Sequence, residues 1–226
     1  KTVVEFKHAP RAAIIPGKHV RIKNGFNKSL IPANLPRHST QHNLRHGQLR
    51  TRISEMVFIA DCLQRLQSGS ADPALQPLPA TFGDKGLQGR LDLSRLVCMG
   101  HSFGALTSIC AATEDARFKA CVAHDAWLFP AGEDMAQSRL RVPTLFLLGD
   151  TFDMLWPVWG RKMLANWVGL SRRAGVDVRA LHLHGCRHQN FADFPVLIPE
   201  MSQTLGFAGQ TPPGTLNQIM AECDYS

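Results

Sequence analysis

The residues Gly100-His101-Ser102-Phe103-Gly104 set a serine between two glycines, with the apolar run Leu96-Val97-Cys98-Met99 before it and a small, helix-compatible stretch from Ala105 to Ala112 after it. That order suits a sharp strand-to-helix turn that exposes the serine hydroxyl. The glycines are expected to be required sterically, because side chains at 100 and 104 would collide across the turn. A serine hydroxyl is a weak nucleophile at neutral pH. It needs a histidine to take its proton and a carboxylate to hold that histidine in one tautomer. The candidate histidines, after the last expected strand or on it, are His182, His184 and His188; the candidate carboxylates, at strand ends, are Asp125, Asp150 and Asp153.

These side chains need elements to position them. Leu49, Ile53, Met56, Ile59, Ala60, Leu63 and Leu66 recur at helical spacing and predict an amphipathic helix over 48–67. A Ser/Gly/Pro-rich loop is expected from Ser68 to Leu91. Strands are then expected at 95–99, 119–124, 143–149 and 177–183, with helices at 103–112 and 159–174. The alternation predicts an α/β chain with a mostly parallel sheet and crossover helices, and the serine turn flanked by strand and helix points within that class to the α/β-hydrolase fold. Before the first helix the pattern is irregular. Val3-Val4-Glu5-Phe6 and His19-Val20-Arg21-Ile22 could each be a short strand, with turns at Pro16, Asn24-Gly25, Pro32 and Pro36. The expected organisation is one domain over 1–226, with an irregular basic segment at 1–46 and the helix plus the catalytic half of the sheet at 47–226.

In this fold the chain order is serine, acid, histidine. The histidine follows the last strand, which favours His188, in the loop beyond Gly185, over the strand-borne His182 and His184. The acid is open on the same logic. Asp125 ends one strand, while Asp150 and Asp153 follow the next, and topology favours the latter pair. A metal cluster of His182, His184, Cys186 and His188 is a competing reading, but a strand-borne His-x-His needs a ligand from a second element.

The 226 residues suffice for one sizeable core, and no uninterrupted apolar run is long enough for a membrane span. Net charge is +7 and lopsided: residues 1–52 hold eleven Lys/Arg against one acidic residue, Glu5. Such a surface could meet phospholipid headgroups. It lacks the interleaved aromatics of a nucleic-acid platform, so no nucleic acid is expected, and a solvated insertion accounts for the charge as well. The six cysteines show no C-x-x-C spacing; Cys98 and Cys121 fall in expected strands, where cysteine packs as a small hydrophobe.

Three blocks carry a family resemblance: Gly100-His101-Ser102-Phe103-Gly104, Asp125-Ala126-Trp127-Leu128-Phe129-Pro130, and His188-Gln189-Asn190-Phe191-Ala192-Asp193-Phe194. In order and separation they resemble the platelet-activating factor acetylhydrolases, the calcium-independent group VII phospholipases A2. Glu114-Asp115-Ala116-Arg117-Phe118 resembles the family's link between the first two blocks. The resemblance covers about residues 46–210 and implies Ser102 as nucleophile, Asp125 as orienting acid, in place of the topological alternative Asp153, and His188 as base. It implies the backbone N–H of Phe103 as an oxyanion donor, neither cofactor nor metal, and a phospholipid with a short sn-2 acyl group, met at a membrane or lipoprotein surface. Two departures stand out. The family's early strand with a His-Gly loop has no counterpart, since His46-Gly47 follows no strand. The first sheet strands and the end of the last helix are also missing, so an N-terminally incomplete member is expected. A non-catalytic phospholipid- or protein-binding module on a decayed hydrolase scaffold is the rival reading.

Overall fold

The computed structural model describes residues 3–5, 40–70, 87–152 and 159–224. Among them five strands form one sheet: β1 (Val3–Glu5), β2 (Val97–His101), β3 (Ala120–His124), β4 (Thr144–Gly149) and β5 (Val178–Leu183), in the order β1-β5-β4-β3-β2. β2 through β5 pair in parallel, and β1 runs antiparallel to β5 with Val4 opposite His182. The strands following β1 fall within two residues of the expected ranges. Parallel neighbours require a crossover between them, and helices supply it: α2 (Phe103–Glu114) links β2 to β3, and α4 (Trp159–Arg173) lies between β4 and β5, while α3 (Glu133–Gln137) falls in the β3–β4 connection. The expected strand His19–Ile22, the early turns and Asp153 lie outside the described residues.

The helix expected at 48–67 is α1 (Thr40–Ser68), which begins within the segment expected to be irregular. The extension has a packing cause. His42 is buried edge-on against Phe129, and His46, one turn later, shares a 2.9 Å hydrogen bond with the Pro130 carbonyl. The two rings stack along the helix, which commits its first turns to the loop after β3. Farther on, Leu49, Ile53 and Ala60 are buried, whereas Ile59 is 51% exposed and faces away from the core.

The core has two parts, set by strand alternation. Phe146 and Leu148 of β4 join Cys98, Cys121, Ala123 and Val178 in the larger cluster, closed over by α1, α2, α3 and α4. Leu147 and Leu183 face the other way, onto Phe191, Cys186 and Leu216 of α7 (Pro213–Asp224). α2 is buried on nearly every side from Ala105 to Ala112, as befits a helix with no polar face. Trp167 of α4 is fully enclosed, stacks on Phe146 and donates its indole N–H to the Met135 carbonyl at 2.7 Å. Arg117 fastens α1 to the α2–β3 link. Its guanidinium contacts Asp115 at 2.6 Å, Asp61 at 2.5 Å, Gln64 at 2.9 Å and the Val57 carbonyl at 3.2 Å. The Glu114–Phe118 block of the sequence is therefore a structural clasp.

Candidate active site

Ser102, Asp125 and the segment 186–191 all lie just past the carboxyl ends of strands, the edge at which open α/β sheets place their sites. Register does much of the positioning. His101 pairs with His124, so β2 and β3 end side by side, and the next residue of each, Ser102 and Asp125, are neighbours. The Ser102 N–H donates to the His124 carbonyl at 3.0 Å, and the Trp127 N–H donates to the Ser102 carbonyl at 2.9 Å.

Both residues have positive φ, 59° at Ser102 and 42° at Asp125, the two non-glycine cases among the described residues. Such conformations persist only where the surroundings over-determine them. The first glycine of the elbow meets its steric expectation: a Cβ on Gly100 would lie 2.4 Å from the Gly104 carbonyl group. Gly104 does not. A Cβ there points into open space, because the close approach is made by its backbone toward Gly100 and not by its own Cα substituent.

His188 opens a 3-10 turn (His188–Phe191) after β5. Its Nε2 is 2.9 Å from Ser102 Oγ, and its Nδ1 is 2.6 Å from Asp125 Oδ2. Asp125 is fully buried, and its other oxygen accepts the Gly149 N–H at 2.9 Å. Both carboxylate oxygens are thus satisfied without water, which a buried charge requires. Serine, imidazole and carboxylate form one hydrogen-bonded row. Asp150, favoured by topology, is elsewhere: it accepts the Gly185 N–H at 2.9 Å and approaches His182. The four-residue metal reading also separates, since His188 belongs to the row and Cys186 is buried against Leu147 and Leu183.

Several contributors had no signal in the serine–acid–histidine pattern. Thr151 Oγ1 accepts the His188 N–H at 2.9 Å. Asn190 Oδ1 accepts the N–H groups of Arg187, at 2.7 Å, and Gly209, at 2.6 Å, fixing the turn from both sides. Phe191 stacks on His101 and His124. His101 itself lies with its ring centroid 4.6 Å from that of His188. Burial, reinforced by the neighbouring His188, pulls its pKa down to about 4, so it is neutral at physiological pH. The backbone N–H of Phe103, the first residue of α2, belongs to the helix-start donors that have no intrahelical partner.

Beside the serine, Phe103, Trp127 and Phe129 form an aromatic wall, Phe103 edge-on to Trp127 and Trp127 stacked on Phe129. Arg52 and Arg45 lie over it, 5.0 Å from the Phe103 ring and 5.6 Å from the Trp127 ring. Part of the basic first quarter of the sequence therefore faces the site. Beyond the His188 turn, two short helices, α5 (Phe194–Leu197) and α6 (Pro199–Thr204), leave Phe194, Val196, Leu197 and Met201 more than half exposed. No helix among the described residues is long and apolar enough to cross a membrane.

The chain is similar to a ferulic acid esterase from Streptomyces cinnamoneus, with TM-score 0.51 and 19% identity over 77% of this chain and 47% of that one, which establishes the shared α/β-hydrolase type of fold. It is 30% identical to the platelet-activating factor acetylhydrolase of Gallus gallus over 70% of this chain and 35% of that protein, and 31% identical to that of Bos taurus over 74% and 36%. The chain thus spans about a third of the length of these relatives. The family model described as platelet-activating factor acetylhydrolase, isoform II, matches residues 3–224, and the chain belongs to that family.

Proposed function

We propose that the protein is a serine esterase that removes a short sn-2 acyl group from phospholipids resembling platelet-activating factor. The observation that carries this reading is the row Ser102 Oγ–His188 Nε2–His188 Nδ1–Asp125 Oδ2, at 2.9 and 2.6 Å. Ser102 Oγ attacks the ester carbonyl carbon as its proton passes to His188 Nε2. Asp125 holds the Nδ1–H tautomer and stabilises the imidazolium that forms. The carbonyl oxygen becomes an oxyanion and is met by the Phe103 N–H, reinforced by the N-terminal end of α2. Collapse breaks the bond to the glycerol oxygen, which takes the proton from His188 and leaves as the lysophospholipid. Water, deprotonated by the same imidazole, then attacks the acyl-serine; the acyl–Oγ bond breaks as His188 returns the proton to Ser102 Oγ, and the carboxylate product leaves. No step needs a metal ion.

Membership of the family supports the lipid substrate, and two surface features support it further. The aromatic wall under Arg45 and Arg52 offers apolar contact and positive charge beside the serine, which suits a lipid ester with a phosphate nearby. The exposed apolar side chains of α5 and α6, immediately after the base, suit contact with a membrane or lipoprotein surface.

The test is release of acetate from an acetylated phospholipid in vesicles. Ser102→Ala should lower the rate by at least about ten-thousandfold. Calcium chelation should leave the unmodified rate unchanged. Retention of activity in Ser102→Ala would contradict the reading. Vesicle binding without acetate release by the unmodified protein would instead favour the non-catalytic module.

A further inference from the structure

We propose a second site, distinct from the serine row, in which Asp150, His182 and His184 bind one transition-metal cation of the zinc class. The three arrive together through sheet geometry. His182 and His184 are two residues apart at the end of β5 and project to one side. β4 runs parallel beside it with Leu148 opposite His182, so Asp150, two residues after Leu148, reaches the level of His184. Asp150 is thus the ligand from a second element that a strand-borne His-x-His pair needs.

The distances match such a centre. Asp150 Oδ1 lies 3.1 Å from His182 Nε2 and 3.7 Å from His184 Nδ1, and all three ligand atoms fall within 4.8 Å of one another. With zinc–ligand bonds of about 2.0–2.1 Å, the edges of a coordination tetrahedron are about 3.3 Å. These two separations bracket that value. The rings are tilted by 51° with centroids 4.5 Å apart, so both can turn a nitrogen toward one point.

The carboxylate is also held from behind. Asp150 Oδ2 accepts the Gly185 N–H at 2.9 Å, and the Asp150 N–H donates to the Cys186 carbonyl at 2.7 Å. Outer hydrogen bonds of this kind orient a metal ligand. Two imidazoles select zinc, cobalt, nickel or copper over magnesium or calcium. Asp150 and His184 are 43% and 52% exposed, so an ion could enter from solvent and keep water in the remaining position. The site adjoins the segment that carries His188, and bound metal would tie the ends of β4 and β5 together there.

Titration of the protein with Co2+, followed by visible absorption, tests this without reference to esterase activity. The unmodified protein should take up one equivalent and develop the intense bands of a four-coordinate ion, and Zn2+ should displace it. His184→Ala, at an exposed position, should weaken uptake by at least about tenfold. Asp150→Asn should do the same while keeping an oxygen to accept the Gly185 N–H. Absence of stoichiometric uptake at millimolar Co2+ would overturn the proposal. So would uptake unchanged in either variant, including binding by the histidine pair alone after Asp150→Asn.

Discussion

His101 connects the chemistry of the site to the stability of the fold. Its ring packs against His188 and Phe191, and its Nε2 is buried without a hydrogen-bond partner among the described residues. Burial holds its pKa at about 4 in the folded chain, against an ordinary value of 6.5. Between those values the unfolded chain binds the extra proton, so this residue makes the fold less stable as pH falls from about 6.5 toward 4. His101→Phe keeps a ring against His188 and removes the titrating nitrogens. The loss of thermal midpoint between about pH 7 and about pH 5 should therefore be smaller in the variant. An equal loss in both proteins would assign the acid sensitivity to other groups. The turn at Ser102 was legible because its signal is local: five residues and their flanks specify the elbow. The carboxylate was not legible from topology, which pointed past β4. Asp125 reaches His188 because His101 and His124 share a register position, and pairing register is a property of the assembled sheet.

Elements were legible where periodicity was strong, and least so at their ends. α1 begins before its apolar stripe because His42 and His46, polar by type, pack onto residues 129–131, more than eighty positions away. Ile59 continues the helical spacing on paper but faces outward, since the buried line runs through Leu49, Ile53 and Ala60. The Glu114–Phe118 segment could be recognised by its family likeness without revealing what it does. Its arginine joins two carboxylates and a carbonyl across α1 and the α2–β3 link, with 25% of its side chain exposed. Arg117→Ala strands Asp115 and Asp61 and removes this clasp. A loss of about 2 kcal/mol in urea unfolding is expected, in the range of hydrogen bonds to charged groups discounted for partial exposure. A change below about 0.5 kcal/mol would mean that solvent replaces the clasp without cost.

At the scale of the molecule, the sheet is asymmetric among the described residues. β2, which leads into Ser102, is the last strand in their order, and Val97 and Met99 on it are 51% and 58% exposed. The sequence implied such an edge, because few strands could be read before Ser102. The far edge could not be foreseen: β1 joins β5 across roughly 180 residues of chain, and three residues of β-propensity carry no information about so distant a partner. What the whole fold accomplishes is the convergence of three strand ends on one hydrogen-bonded row, and the central claim is that this row makes Ser102 a nucleophile. Reaction with a fluorophosphonate followed by peptide mass mapping tests it most directly, since the reagent bonds only to an activated serine. The account predicts stoichiometric labelling confined to Ser102, lost in His188→Ala and in Ser102→Ala. An unlabelled protein, or labelling that persists in His188→Ala, would contradict it.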